Sequence, residues 1–136
     1  MPIYTTNYDA QCKFHDSVVA DIGEGATDTS TSNEVVVAGS EGARLVCYTA
    51  GHHGSSSGTV TFNFVTIGYA GETYPTTATF YTELTLSGTT VIKDESFILT
   101  SPMGIYAIKL LSIVNGDATY HIDNSNAYLS MVSGKD

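Results

Sequence analysis

Thr59-Val-Thr-Phe-Asn-Phe-Val-Thr-Ile67 is the stretch on which the fold turns. Val60, Phe62 and Phe64 fall on one side and Thr59, Thr61 and Asn63 on the other, the period of two expected of a strand with one buried face. Past Phe64 the apolar positions move to Val65 and Ile67, so the inward set changes parity, and a β-bulge or the end of that strand's pairing accounts for it. Ala78 to Leu86 carries the matching pattern. Phe80, Thr82, Leu84 and Leu86 share one face and Tyr81, Glu83 and Thr85 the other, which makes this segment the mate of the first.

Working outward, short strands recur between Gly, Ser and Asn turns. Lys13 to Ile22 reads as a strand with Val18, Ala20 and Ile22 on one face, against a helical stripe through Phe14, Val18 and Ile22. Gly23 to Asn33 reads as the longest loop, Glu34 to Ala38 as a short strand, and Arg44 to Thr49 as a strand with Leu45 and Cys47 opposite Val46 and Tyr48, moderately apolar on both faces and so placed either centrally or under a subunit contact. Thr89 to Ile92 begins another strand. Asp94-Glu95 breaks its pattern before Phe97 to Thr100. Ile105 to Val114 has the highest apolar density, and strand is preferred to helix because Asn115-Gly116 is a strong type I′ hairpin signal. Its mate would be Ala118 to Asp123, with Tyr120 and Ile122 inward. Ala127 to Val132 closes the chain. The expectation is an all-β, single-domain β-sandwich of about eight strands with jelly-roll topology over residues 1–136, a closed barrel being the alternative. Residues 1–10 form an N-terminal arm or edge strand.

Composition agrees with sheet. Charged residues make up 14% of the 136 positions, against about 25% in ordinary domains. Thr, Val and Tyr suit pleated, half-buried surfaces. The formal net charge is −9, and Lys13, Arg44, Lys93, Lys109 and Lys135 are scattered. Phosphate recognition needs a clustered basic footprint, so nucleic acid is excluded as a partner. The same deficit argues against an anionic membrane surface. No basic or apolar leader opens the chain, so no secretory signal is expected. Cys12 and Cys47 permit one disulfide, but Cys47 lies within an apolar strand and two buried thiols are the preferred reading.

Candidate chemistry is sparse. His52 and His53, with Asp28 or Glu24, offer metal-ligand types, yet adjacent residues of an extended segment point apart. Asp21, Glu24 and Asp28 superficially suggest calcium but do not match the twelve-residue helix-flanked loop. Ser55 to Ser57 lack a nucleophile elbow. Glu83 with Asp94 and Glu95 could supply a glycosidase pair, though no Trp is present to stack a sugar. Gly23-Glu24-Gly25 is not a phosphate loop. The expectation is no enzyme, no cofactor and no metal.

The nine tyrosines say more. Tyr supplies rigid contact area with a polar tip, and Tyr48, Tyr81, Tyr106, Tyr4 and Tyr8 are the candidate subunit or lattice contacts. In overall texture the chain resembles small β-rich structural proteins of tailed bacteriophage virions, most strongly over Gly104 to Asp117, G-I-Y-A-I-K-L-L-S-I-V-N-G-D, followed by Ala118-Thr119-Tyr120. That resemblance implies a head-decoration, neck or tail, or spike protein. Its partners would be copies of itself, a trimer for example, and a larger assembly such as a capsid. It would be located in the virion and assembled in the host cytoplasm. The alternative is a carbohydrate- or receptor-binding sandwich module.

Overall fold

A computed structural model describes residues 13–37, 42–51, 58–68, 80–86, 90–98 and 106–132. They form nine strands: β1 (Val19–Ile22), β2 (Thr27–Asp28), β3 (Glu34–Val36), β4 (Gly42–Ala50), β5 (Thr59–Ile67), β6 (Phe80–Thr85), β7 (Thr90–Ile98), β8 (Ala107–Asn115) and β9 (Ile122–Val132). One sheet has the order β1-β9-β4-β7 and the other β2-β8-β5-β6, with β3 also on β8. Every pairing is antiparallel.

β2 and β3 both pair with β8, opposite Ile113–Val114 and Ala107–Lys109 respectively, so they are two halves of one interrupted edge strand. Counted that way there are eight strands, and the first pairs with the last, the second with the seventh, the third with the sixth, and the fourth with the fifth. This is a long antiparallel ribbon rolled on itself, with β4·β9 and β5·β8 knitting its turns into two sheets. That is the jelly-roll arrangement. Because each sheet ends in an edge strand, the sandwich is open and the barrel alternative falls.

The core lies between the sheets. Val60, Phe62 and Phe64 of β5 meet Leu84 and Leu86, Ile108, Leu110 and Ile113 of β8, and from the facing sheet Leu45, Cys47, Ala127 and Leu129, all buried. Fully burying each large apolar side chain contributes about 1.5–3 kcal/mol, and the expected alternation is observed in β5 up to Phe64 and over residues 83–86. Glu83 and Thr85 are exposed as expected. The parity change after Phe64 coincides with a register shift, Asn63 opposite Ser112 and Phe64 opposite Leu110. The extra residue, Leu111, therefore bulges from β8 rather than from β5.

Phe14 seals the flank. Its N–H donates to Ala127 O of one sheet, its carbonyl accepts from Asn33 N just ahead of β3 in the other, and its ring meets Phe64 edge-on with centroids 5.2 Å apart.

Four expectations are corrected. Asn115-Gly116 is not a hairpin turn: β8 and β9 lie in different sheets, Tyr120 is exposed, and Ala118 to Tyr120 belong to the connection. Asp94 and Glu95 do not interrupt β7, which runs through them opposite Val46 and Leu45. As an edge strand it tolerates charge. In β1 the inward residues are Val19 and Ile22 while Val18 is exposed, since Asp21 adopts a left-handed φ of 54° that breaks the alternation. The loop read over 23–33 contains β2. The arm of residues 1–10 lies outside the described residues.

Asn115 explains the lost hairpin. Its Nδ2 donates to the carbonyls of Ile22 (3.2 Å), Gly23 (3.1 Å) and Tyr120 (3.0 Å), and its Oδ1 accepts from Asp117 N (2.9 Å). Asp117 Oδ1 in turn accepts from Thr119 N and Tyr120 N. These bonds hold the β8–β9 connection against the β1–β2 connection, so that both cross between sheets side by side. Asn115→Ala should lower unfolding free energy by about 2–4 kcal/mol, because several buried backbone groups lose partners at once. Urea denaturation read by far-UV circular dichroism measures this; a loss under 1 kcal/mol would show that the amide does not hold the corner.

Candidate functional site

The paired crossings bring together side chains from the two ends of the chain. The β1·β9 register, Ala20 opposite Asn124 and Ile22 opposite Ile122, brackets Asp21 across from Asp123. His121 stands immediately before β9. Its Nε2 is 2.9 Å from Asp123 Oδ1, and its Nδ1 is 3.9 Å from Glu24 Oε1. One ligand atom each from Asp21, His121 and Asp123 lies within 4.8 Å of the others. Asp21 is exposed, and the His121 and Asp123 side chains are each about half-exposed.

Gly51, just after β4, completes the wall. A Cβ there would lie 2.4 Å from both Cβ and Oδ2 of Asp123, and its φ of 82° is one that L side chains rarely adopt. Only glycine lets the chain leave β4 so close to that carboxylate. Two register pairs further in, Thr49 stands opposite Ser125, and both hydroxyls are fully buried without a hydrogen-bond partner.

A second feature occupies the outer side of the four-stranded sheet. Tyr48 of β4 and Tyr128 of β9 are stacked, with centroids 5.6 Å apart and planes 16° from parallel. Tyr128 OH donates a long hydrogen bond of 3.4 Å to Tyr48 OH. Lys13 bridges to the other side of β9, and its Nζ lies 5.8 Å from the centroid of the Tyr128 ring. Burial pushes the Tyr48 phenol well above its ordinary range.

Of the residues singled out in the sequence, Tyr48 is half-buried in this pair and Tyr106 is exposed just ahead of β8. Tyr81 takes its place in β6 opposite Asn63, its side chain outside the description. Tyr4, Tyr8, Cys12, His52, His53 and Ser55 to Ser57 lie outside the described residues. The trio Asp21, Glu24 and Asp28 is divided. Asp28 sits on β2 and accepts from Ser30 N and Oγ, away from the Asp21 cluster. Glu83 lies on β6 and Asp94-Glu95 on β7, at the edges of different sheets, and the side chains of the latter two lie outside the description.

The sequence reading missed His121, Asp123 and Tyr128 as partners. The available signal was H-x-D at the head of a strand; what it would pair with depends on the β1·β9 register. The chain matches no protein-family model, no curated protein and no solved structure. Fold and site geometry therefore carry the functional reading.

His15, beside the Phe14 seal, is buried, and its backbone is clamped by Asn126: Oδ1 accepts from His15 N and Nδ2 donates to His15 O. Burial lowers the His15 pKa, opposed by Asp28 and Asp16. With the folded value below the unfolded one, the unfolded chain takes up the proton more readily, so His15's contribution to stability is full above the unfolded value of 6.5 and declines as pH falls through it. Melting temperatures at pH 7.5 and 5.5 should show a smaller acid-side loss in His15→Gln than in the wild type. Equal losses would remove His15 as the source.

Proposed function

We propose that this protein is a structural component of a larger assembly, of the capsid-decoration or other virion-bound kind, which associates with copies of itself through the outer face of the four-stranded sheet. The stacked Tyr48–Tyr128 pair is the observation that carries this reading. The two rings sit on the inner strands of an open sheet and hold each other in place, so little side-chain freedom is lost when a partner covers them. Rigid tyrosines of this kind are enriched where subunits meet. Exposed Val36 and Leu111 add apolar surface on the opposite sheet, which suits a protein with contacts on both sides. A jelly roll alone does not define function.

The rival reading, a carbohydrate-binding module, asks for an open aromatic face on which a sugar can lie. Tyr128 offers little of one. Tyr48 approaches it from the β4 side and Lys13 from the other, so both flanks of the ring are engaged. The contact reading uses the pair's edges and the remaining Tyr48 face, which fits the geometry better.

Light scattering across a concentration series should find a stable oligomer, and Tyr48→Ala with Tyr128→Ala should weaken it by about 30-fold or more, in line with loss of an aromatic hot spot. Circular dichroism checks that the variant keeps its fold. A wild-type protein that stays monomeric at all concentrations and binds no larger assembly overturns the proposal. Glycan binding lost in the same variant would favour the rival.

A further inference from the structure

We infer that Asp21, His121 and Asp123 form a binding site for a first-row divalent transition ion of the zinc class, with Glu24 orienting the imidazole. Three observations meet here.

The first is electrostatic. Asp21 and Asp123 lie between the register pairs Ala20–Asn124 and Ile22–Ile122, their carboxylates come within 4.8 Å of each other, and like charges that close repel. In a chain of net charge −9, a cation shared by the two carboxylates removes that repulsion.

The second is the donor set. An imidazole nitrogen and two carboxylate oxygens converge within 4.8 Å. Two ligands bound at about 2.0–2.2 Å to one ion are about 3–3.5 Å apart, and His121 Nε2 to Asp123 Oδ1 is 2.9 Å, so only small side-chain rotations separate the two arrangements. The second nitrogen of His121 faces the Glu24 carboxylate at 3.9 Å. A carboxylate behind the non-ligating nitrogen is the usual support of a metal-bound histidine. A metal on Nε2 leaves Nδ1 facing Glu24.

The third observation concerns the orphaned hydroxyls of Thr49 and Ser125. They are fully buried two register positions inward from Asp123, and Ser125 has the same strand parity as Asp123 on β9. Buried polar atoms without partners are costly, and water in the ion's outer shell is a partner of the right kind at that end of the sheet. The nitrogen donor selects zinc-class ions over Ca²⁺ and Mg²⁺, which prefer oxygen throughout. Three protein ligands also leave a coordination position for water or for a carboxylate from a neighbouring molecule.

The test is isothermal titration of chelator-treated full-length protein with zinc chloride, and with calcium chloride in parallel. One equivalent of Zn²⁺ should bind and raise the melting temperature, with no shift from Ca²⁺ at the same concentration. His121→Gln and Asp123→Asn should each weaken binding by at least about 100-fold, and Glu24→Gln by about 10-fold. Asp21→Asn is the control against misfolding. Asn tolerates the left-handed backbone there, so its metal-free melting temperature should be unchanged or higher while the zinc-induced rise is lost. The double variant His52→Gln/His53→Gln should keep binding. No saturable Zn²⁺ binding, binding unchanged in His121→Gln and Asp123→Asn, or binding that disappears with His52 and His53 would each overturn the assignment.

Discussion

The buried Asn115 amide is the constraint on which the molecule's shape depends. A rolled ribbon must carry its first and last strands from one sheet to the other at neighbouring points, and in both crossings backbone carbonyls turn inward, where no ladder partner exists. Asn115 supplies donors to Ile22 and Gly23 in one crossing and to Tyr120 in the other. Its carbonyl oxygen and Asp117 then fold the second crossing on itself. Apolar burial supplies most of the stability, but it is indifferent to which sheet β9 joins. The amide is specific on that point, because its bonds to Ile22 and Gly23 on one side and to Tyr120 on the other form together only where the two crossings lie side by side.

The same bonds explain why the fold class was legible and one connection was not. Val60, Phe62 and Phe64, and Leu84 with Leu86, announce their buried face through local alternation, which needs no knowledge of the partner strand. Asn115-Gly116 also looks local, as a hairpin signal. Here, though, the Asn side chain spends its hydrogen bonds on residues at the other end of the chain, and tertiary demand overrides turn propensity. Asp94-Glu95 misled for the reverse reason. Charge breaks a pattern only where both neighbours must be covered, and β7 is paired on one side alone.

The candidate site was much less legible. Asp21 and Glu24 stand out in the sequence because they are close together, and proximity wrongly joined Asp28 to them. His121 and Asp123 arrive through the β1·β9 register, and Gly51 through the end of β4, so three distant segments must be placed before the cluster exists. Asp21 illustrates the cost. Its left-handed backbone spoils the alternation of β1, which is why the inward residues of that strand were misassigned, and it is the residue the cluster uses.

The two surfaces fit the requirements of a charged molecule that is proposed to assemble. Copies bearing −9 repel one another, though beyond about 8 Å that repulsion is largely screened at physiological salt. What matters is the charge within the contact itself. Burial holds the Tyr48 phenol neutral well into alkaline conditions, and Lys13 Nζ lies over the Tyr128 ring. The acidic cluster, by contrast, lies at the loop end, off the face of the sheet that carries the tyrosines. Separating the aromatic pair from the acidic cluster lets copies meet side by side without burying those three side chains, and it leaves their carboxylates where an ion can reach them.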